Sequence, residues 1–441
     1  MIPSLIRLAL LAGASIAVAG AASAATPAED RAAIDRQISA EYPALETLYR
    51  DLHAHPELSS QETRTAALLA AKMRALGFTV TEKVGGTGVV AIYRNGEGPT
   101  VMLRTEMDAL PVEEKSGLPY ASRAQGERDG KTSFIAHSCG HDIHMASWLG
   151  TAEALVALKQ QWHGTLMFVA QPAEETLKGA RAMIADGLFK RFPKPDYAFA
   201  VHVWPAEAGS VLLKDGPITS NSDAMQIVFK GRGGHGSMPN ATIDPVVMGG
   251  HFISDIQTVI SREKDPNAFG VITVGSLQSG AAGNIIPDDA VLKLTLRSYA
   301  PEVRALLLDG VARTANAVAS MARAPAPSVE HLYGSPAVVN DHALVARAGA
   351  MLQAAGGDRI EQKPALAPGW TASEDFSAYG EAGVPSIFYM VGAYDAKTIA
   401  AYKAKGEPLP TNHSPYFAPD PKITIPTAIR TLSLSALMAL Q

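Results

Sequence analysis

The sequence predicts an α/β protein: a central sheet flanked by helices, with a ferredoxin-like β-α-β-β-α-β domain inserted into it. Three observations predict this. Nearly continuous apolar runs at 101–104, 164–169, 197–203 and 386–391 alternate with helix-patterned stretches such as 143–158, as expected of strands buried on both faces. Polar side chains sit at or just beyond these runs, namely Asp108, Glu174, Glu175 and His202, and sheets of this kind gather functional groups at the carboxyl ends of strands. Between 217 and 330 the strands instead alternate polar and apolar, which leaves one sheet face for solvent or a partner.

The 441-residue chain begins with a short basic start ending at Arg7, an apolar run at 8–19 and Ala22-Ser23-Ala24. That arrangement describes a cleaved secretory signal over 1–24 and a periplasmic or secreted protein. The run is too short and alanine-rich for a good spanning helix. The length exceeds one ordinary core. It divides into a first domain over 25–216 and 331–441 and a second over 217–330. A formal net charge of −5 without any basic run argues against nucleic acid or a membrane surface as partner.

Residues 29–52 read as two helical pieces broken at Pro43, followed by a loop over 53–59. Ser60 is the expected N-cap of a helix that ends at Leu76 before Gly77. Strands follow at 78–83 and 89–94, with glycine-marked turns. The second domain reads as strand 223–230, helix 244–263, strands 269–277 and 290–299, helix 301–321 and strand 329–333. The first domain resumes near Asn340.

The chemistry centres on His137-Ser138-Cys139-Gly140-His141-Asp142-Ile143-His144. Cys139 is the single cysteine of the chain, so it has no disulfide partner within it. An exported protein that keeps one thiol needs a reason, and metal ligation supplies one. In an extended segment Cys139 and His141 would project to one side. Adjacent carboxylates at Glu174-Glu175, after a buried strand, call for a neutralising cation. His202 and the loop residue His413 are further ligand candidates. Each has a plainer alternative: a buried thiol, a solvated acidic pair, a satisfied core histidine.

Together these stretches resemble a known family. His53-Ala54-His55-Pro56-Glu57, Met107-Asp108-Ala109-Leu110-Pro111, Cys139-Gly140-His141-Asp142 and Gln171-Pro172-Ala173-Glu174-Glu175 occur in order. Gly233-Gly234-His235, Asn284-Ile285-Ile286-Pro287-Asp288, Ser373-Glu374-Asp375-Phe376 and His413 follow. The chain resembles the dinuclear-metal amidohydrolases that include hippurate hydrolases, auxin-conjugate hydrolases and N-acyl-amino-acid amidohydrolases, relatives of glutamate carboxypeptidase and aminoacylase. The resemblance implies two divalent ions, zinc or manganese with cobalt or nickel as alternatives, held by Cys139, His141, Glu175, His202 and His413, with Cys139 bridging. It implies Glu174 as general base and Asp108 as the carboxylate that orients the site. It makes 217–330 a lid and dimerisation domain, whose His235 and Asn284 help bind substrate, His235 reaching the other subunit of a homodimer. Thr105-Glu106 departs from the family's usual Ala-Asp, and Ile143 replaces a smaller residue.

The implied reaction is hydrolysis of the amide bond of N-acyl-L-amino acids. Glu174 would take a proton from a metal-acidified water and return it to the departing amine. His235 would help stabilise the oxyanion, and Arg297 is a candidate for gripping the α-carboxylate of the amino acid. Three rivals remain: a thiol nucleophile using Cys139 with His141 or His137, a dipeptidase or carboxypeptidase of the same fold, and a non-catalytic periplasmic metal- or solute-binding protein.

Overall fold

The computed structural model describes residues 25–128 and 130–441; the expected signal segment lies outside them. The central sheet has eight strands in the order Thr79–Val84, Gly88–Asn95, Gly164–Gln171, Thr100–Glu106, Tyr197–Glu207, Ser386–Tyr394, Ser210–Lys214, Arg359–Lys363. The four middle strands, from Gly164–Gln171 to Ser386–Tyr394, run parallel to one another. Thr100–Glu106, Gly164–Gln171 and Ser386–Tyr394 are buried along their whole length, so their uninterrupted apolar character has its cause in cover on both faces.

Helix His141–Ala157 lies against one face, packed between helices Pro27–Ala54 and Pro421–Leu440. Leu45, Leu149, Leu155, Ile429 and Leu437 belong to the core on this side. The Trp148 indole N–H donates to Leu103 O at 3.0 Å and pins the helix to the sheet. Pro421–Leu440 is long and apolar enough to cross a membrane, but 78% of its apolar window is buried in the protein. It is a core helix.

The second sheet has four antiparallel strands, ordered Gly270–Gln278, Asp289–Ser298, Ser222–Lys230, Ser328–Ser335. Helices Pro245–Asp255 and Pro301–Met321 cover it through a separate apolar core that includes Ile227, Phe229, Phe252, Leu292 and Val311. This is the expected β-α-β-β-α-β order, although the last strand runs on to Ser335, past 330.

Several local expectations need correction. Residues 27–54 form one helix straight through Pro43. A proline inside a helix costs about 3 kcal/mol, and burial of Ile34, Ile38, Leu45, Leu48 and Leu52 along one face outweighs it. His53 and Ala54 therefore belong to the helix, not to a loop. Ser60 is not an N-cap: it sits at φ 67°, and helix Thr63–Ala75 is capped by Glu57, whose carboxylate accepts from the N–H groups of Arg64 (3.0 Å) and Thr65 (2.7 Å). The 244–263 stretch is an α-helix only over Pro245–Asp255 and ends in a wider π turn over Val259–Glu263.

Candidate active site and metal-ligand cluster

Three chain segments converge where the middle strands end. Gly140, at φ 89°, turns the chain into helix His141–Ala157, and a Cβ there would lie 2.4 Å from Val203 Cγ2. The Cys139–His141 stretch is thus a left-handed turn rather than the extended segment expected. Asn412 donates to the carbonyls of Cys139 and Val203, both at 3.1 Å. His413, at φ 71°, donates its backbone N–H to Ser138 O at 2.8 Å. One loop late in the chain is thereby seated on the cysteine turn.

Asp108 organises the acidic turn. Its carboxylate accepts from the backbone N–H of Glu174 (3.1 Å) and Glu175 (3.0 Å) and from Ser59 Oγ (2.6 Å). Its carbonyl accepts from His141 Nδ1 at 2.7 Å, which leaves the Nε2 lone pair of His141 free. His202 repeats the device: Nδ1 donates to Val203 O at 2.7 Å, and Nε2 lies 3.4 Å from Cys139 Sγ. His202 sits within its strand, which continues to Glu207. His413 Nε2 is 3.3 Å from a Glu175 oxygen.

The donor set fits divalent cations. Cys139, Glu175 and His413 offer ligand atoms within 4.8 Å of one another, as do His141, Glu174 and Glu175. His141 Nε2 and Glu175 Oε1 are buried without a hydrogen-bond partner, a costly state for polar atoms unless an ion receives them. The charge balance points the same way. Burial, then Glu374 and Glu175, push Glu174 well above the usual carboxylate range. Burial likewise pushes Glu175 up to about 7. Burial alone would lower His141, but the carboxylates led by Glu106 raise it to about 10. Burial and then Glu175 push the Cys139 thiol up. A thiol so held is a poor nucleophile on its own and becomes a thiolate beside a cation.

His144 completes the imidazole cluster without free lone pairs. Its Nδ1 is 2.9 Å from Glu106 Oε1, and its Nε2 accepts the Val203 N–H at 2.9 Å. Glu106 also pairs with Arg104 (2.9 Å), whose guanidinium reaches Glu374 (2.7 Å), Asp375 (3.1 Å) and Gln171 (3.0 Å). The sequence motifs attach no role to Arg104. A charge inside an otherwise apolar run was the available signal, because a fully buried arginine must be paired.

His53 belongs to one of the motifs that carry the resemblance, and the sequence attaches no role to it. It is 3% exposed, with Nδ1 2.6 Å from Asp142 and Nε2 3.0 Å from Glu114. Burial alone would lower its pKa, but the two carboxylates prevail and hold it up to about 10. The folded value lies above the unfolded one of roughly 6.5. The stabilisation is therefore complete below that pH and is lost as pH rises through about 10. His53→Gln should lower stability by about 3–5 kcal/mol near neutrality, with the urea gap to wild type closing towards the alkaline end. A gap that stays constant from neutral to alkaline pH contradicts the imidazolium assignment.

A cavity of about 550 Å³ opens over this cluster, lined by Cys139, Glu174, Glu175, His202 and His413 and also by Lys178, Trp370 and Ser373. The second sheet contributes Ser222, Arg297 and Tyr333. The Arg297 guanidinium bonds Ser373 Oγ, and among the described residues no carboxylate pairs with it. Among the described residues the wall includes neither His235 nor Asn284. His235 lies on the two-stranded ladder of Gly234–His235 and Ile285–Ile286, and Asn284 in the turn just before it, where Gly236 N–H donates to Asn284 O at 2.8 Å.

Comparison with known proteins agrees with this geometry. A hippurate hydrolase from Campylobacter jejuni is 38% identical over 276 residues, covering 62% of this chain and 69% of the relative. An N-acetylcysteine deacetylase from Bacillus subtilis is 33% identical over 348 residues, covering 78% and 86%. The crystal structure of the Bacillus subtilis YXEP protein, a dinuclear metal binding peptidase, superposes with a TM-score of 0.74 at 27% identity over 91% of this chain and 99% of that one. The model of peptidase family M20/M25/M40 matches residues 102–405, and the chain belongs to that family of hydrolases.

Proposed function

We propose that the protein hydrolyses N-acyl-L-amino acids, hippurate-like or other amino-acid conjugates, as an exported enzyme using two divalent ions. The observation that carries this reading is the pairing, in one cavity, of an under-neutralised ligand cluster with the half-buried cation Arg297. Cys139, His141, Glu175, His202 and His413 would hold the ions. Zinc or manganese suits a thiolate, imidazole and carboxylate set. Such ions acidify a water and polarise an amide carbonyl.

The chain's own residues supply the rest. Glu174, with its proton affinity raised by burial and neighbouring carboxylates, suits a group that first accepts a proton and then returns it to the leaving nitrogen. Asp108 fixes the turn that presents Glu174 and Glu175. Arg297 takes the α-carboxylate through charge-assisted hydrogen bonds. Glu174 counts against a pure metal- or solute-binding protein, which has no use for a base there. A dipeptide would bring an ammonium group, and beyond Glu174 and Glu175 the described wall offers it no carboxylate. A panel of N-acyl amino acids and dipeptides tests this: N-acyl amino acids should be cleaved with the higher kcat/KM, and faster dipeptide cleavage overturns the reading.

The exposed ladder carrying His235 suits action across a homodimer formed through the second domain. His235→Ala and Glu174→Gln, each inactive alone, should recover roughly a quarter of wild-type activity after random subunit exchange. No recovery despite demonstrated exchange removes His235 from the partner's site.

A further inference from the structure

The wall of the cavity is unevenly charged. Apart from Glu174 and Glu175, which face the ligand cluster, its described residues include no carboxylate, yet Lys178 and Arg297 both line it. This concentration of positive charge occurs in a chain of net charge −5. Arg297 comes from the second sheet and Lys178 from the turn that follows the two glutamates.

That turn holds Lys178 in place. Ala173 and Leu177 both adopt left-handed backbone, at φ 52° and 56°. The N–H groups of Lys178 and Gly179 both donate to Ala173 O at 3.3 Å. A Cβ at Gly179 would fall 1.6 Å from Pro172 O, so the chain is folded back tightly there. The Lys178 ammonium has neither hydrogen bond nor ion pair among the described residues. By contrast, Arg181 and Arg191 nearby pair with Glu381 and Asp186 at 2.7 and 2.6 Å. A cationic donor without an acceptor thus lines the space beside the metal-ligand cluster, and a substrate that carries an acceptor there would complete it.

We propose that the substrate is dianionic: an N-acyl amino acid carrying a second carboxylate, received by Lys178 while Arg297 takes the α-carboxylate. The inference rests on the amidohydrolase reading above. The second carboxylate can belong to the acyl chain or to the side chain of the amino acid, and two substrate pairs separate these sources. N-succinyl-L-alanine is compared with N-butyryl-L-alanine, and N-acetyl-L-glutamate with N-acetyl-L-glutamine.

In at least one pair the dianionic member should be favoured in kcat/KM by roughly tenfold or more, the scale of a charge-assisted contact. Lys178→Gln should collapse that ratio mainly through KM, Lys178→Glu should invert it, and Lys178→Arg should keep most of it. Lys178 is exposed, so these variants should fold. Hydrolysis of all four compounds without preference in wild type, or a preference that survives Lys178→Gln and Lys178→Glu, overturns the inference and leaves the amidohydrolase reading standing. Hydrolysis of none of them by metal-loaded enzyme overturns that reading, and this inference with it.

Discussion

Glu174→Gln should retain wild-type metal content while kcat falls by on the order of 10² or more, because the amide keeps the size of the side chain but cannot accept a proton. Asp108 holds Glu174 and its neighbour through their backbone N–H groups, so the turn itself should survive the change. Glu175→Gln should behave differently. Glu175 lies within reach of His413, at 3.3 Å, and shares a ligand cluster with Cys139, so its loss should appear first as weakened metal binding, with activity recovering at high metal concentration. Elemental analysis beside steady-state kinetics separates the two. Identical behaviour of both variants contradicts the division between base and ligand.

The second large effect is expected at Arg104. Its guanidinium faces Glu106, Glu374 and Asp375, and all four side chains are buried. Breaking a buried pair from one side typically costs about 3–5 kcal/mol, because the remaining charges stay behind, and here three carboxylates would lose their shared cation. Burial already pushes Asp375 up to about 8 with Arg104 present. Arg104→Met should therefore unfold at markedly lower urea, and what folds should turn over slowly, since Glu374 offers a carboxyl oxygen within 4.8 Å of one from Glu174. Arg104→Lys should fall between the two, as an ammonium cannot fork to several carboxylates. Wild-type stability in Arg104→Met removes the network from the account.

Much of this was legible in the residues. The fully buried middle strands announced themselves as apolar runs, and the acidic and imidazole side chains near their ends were found where such sheets place functional groups. The alternating strands of the second sheet followed from its one covered face. What could not be read was long-range pairing. Glu57 caps a helix that Ser60 was expected to cap, and His53 and Asp142 are 89 positions apart in the chain. Asn412 seats its loop on backbone carbonyls, which carry no sequence signature. Pro43 misled because local propensity is weaker than burial of a continuous apolar face. Glu106, noted only as longer than the family's usual aspartate, bridges Arg104 and His144 in the structure.

The central claim is that amide hydrolysis depends on two ions held around Cys139, and metal titration with a thiol probe tests it most directly. Protein stripped by a chelator should lose hydrolysis of an N-acyl amino acid and regain it as about two equivalents of zinc or manganese are added back. Alkylation of Cys139 should slow in step, because a coordinated thiolate is shielded from the reagent. Full turnover in the presence of chelator, abolished by alkylating Cys139, would contradict the account and restore the thiol nucleophile.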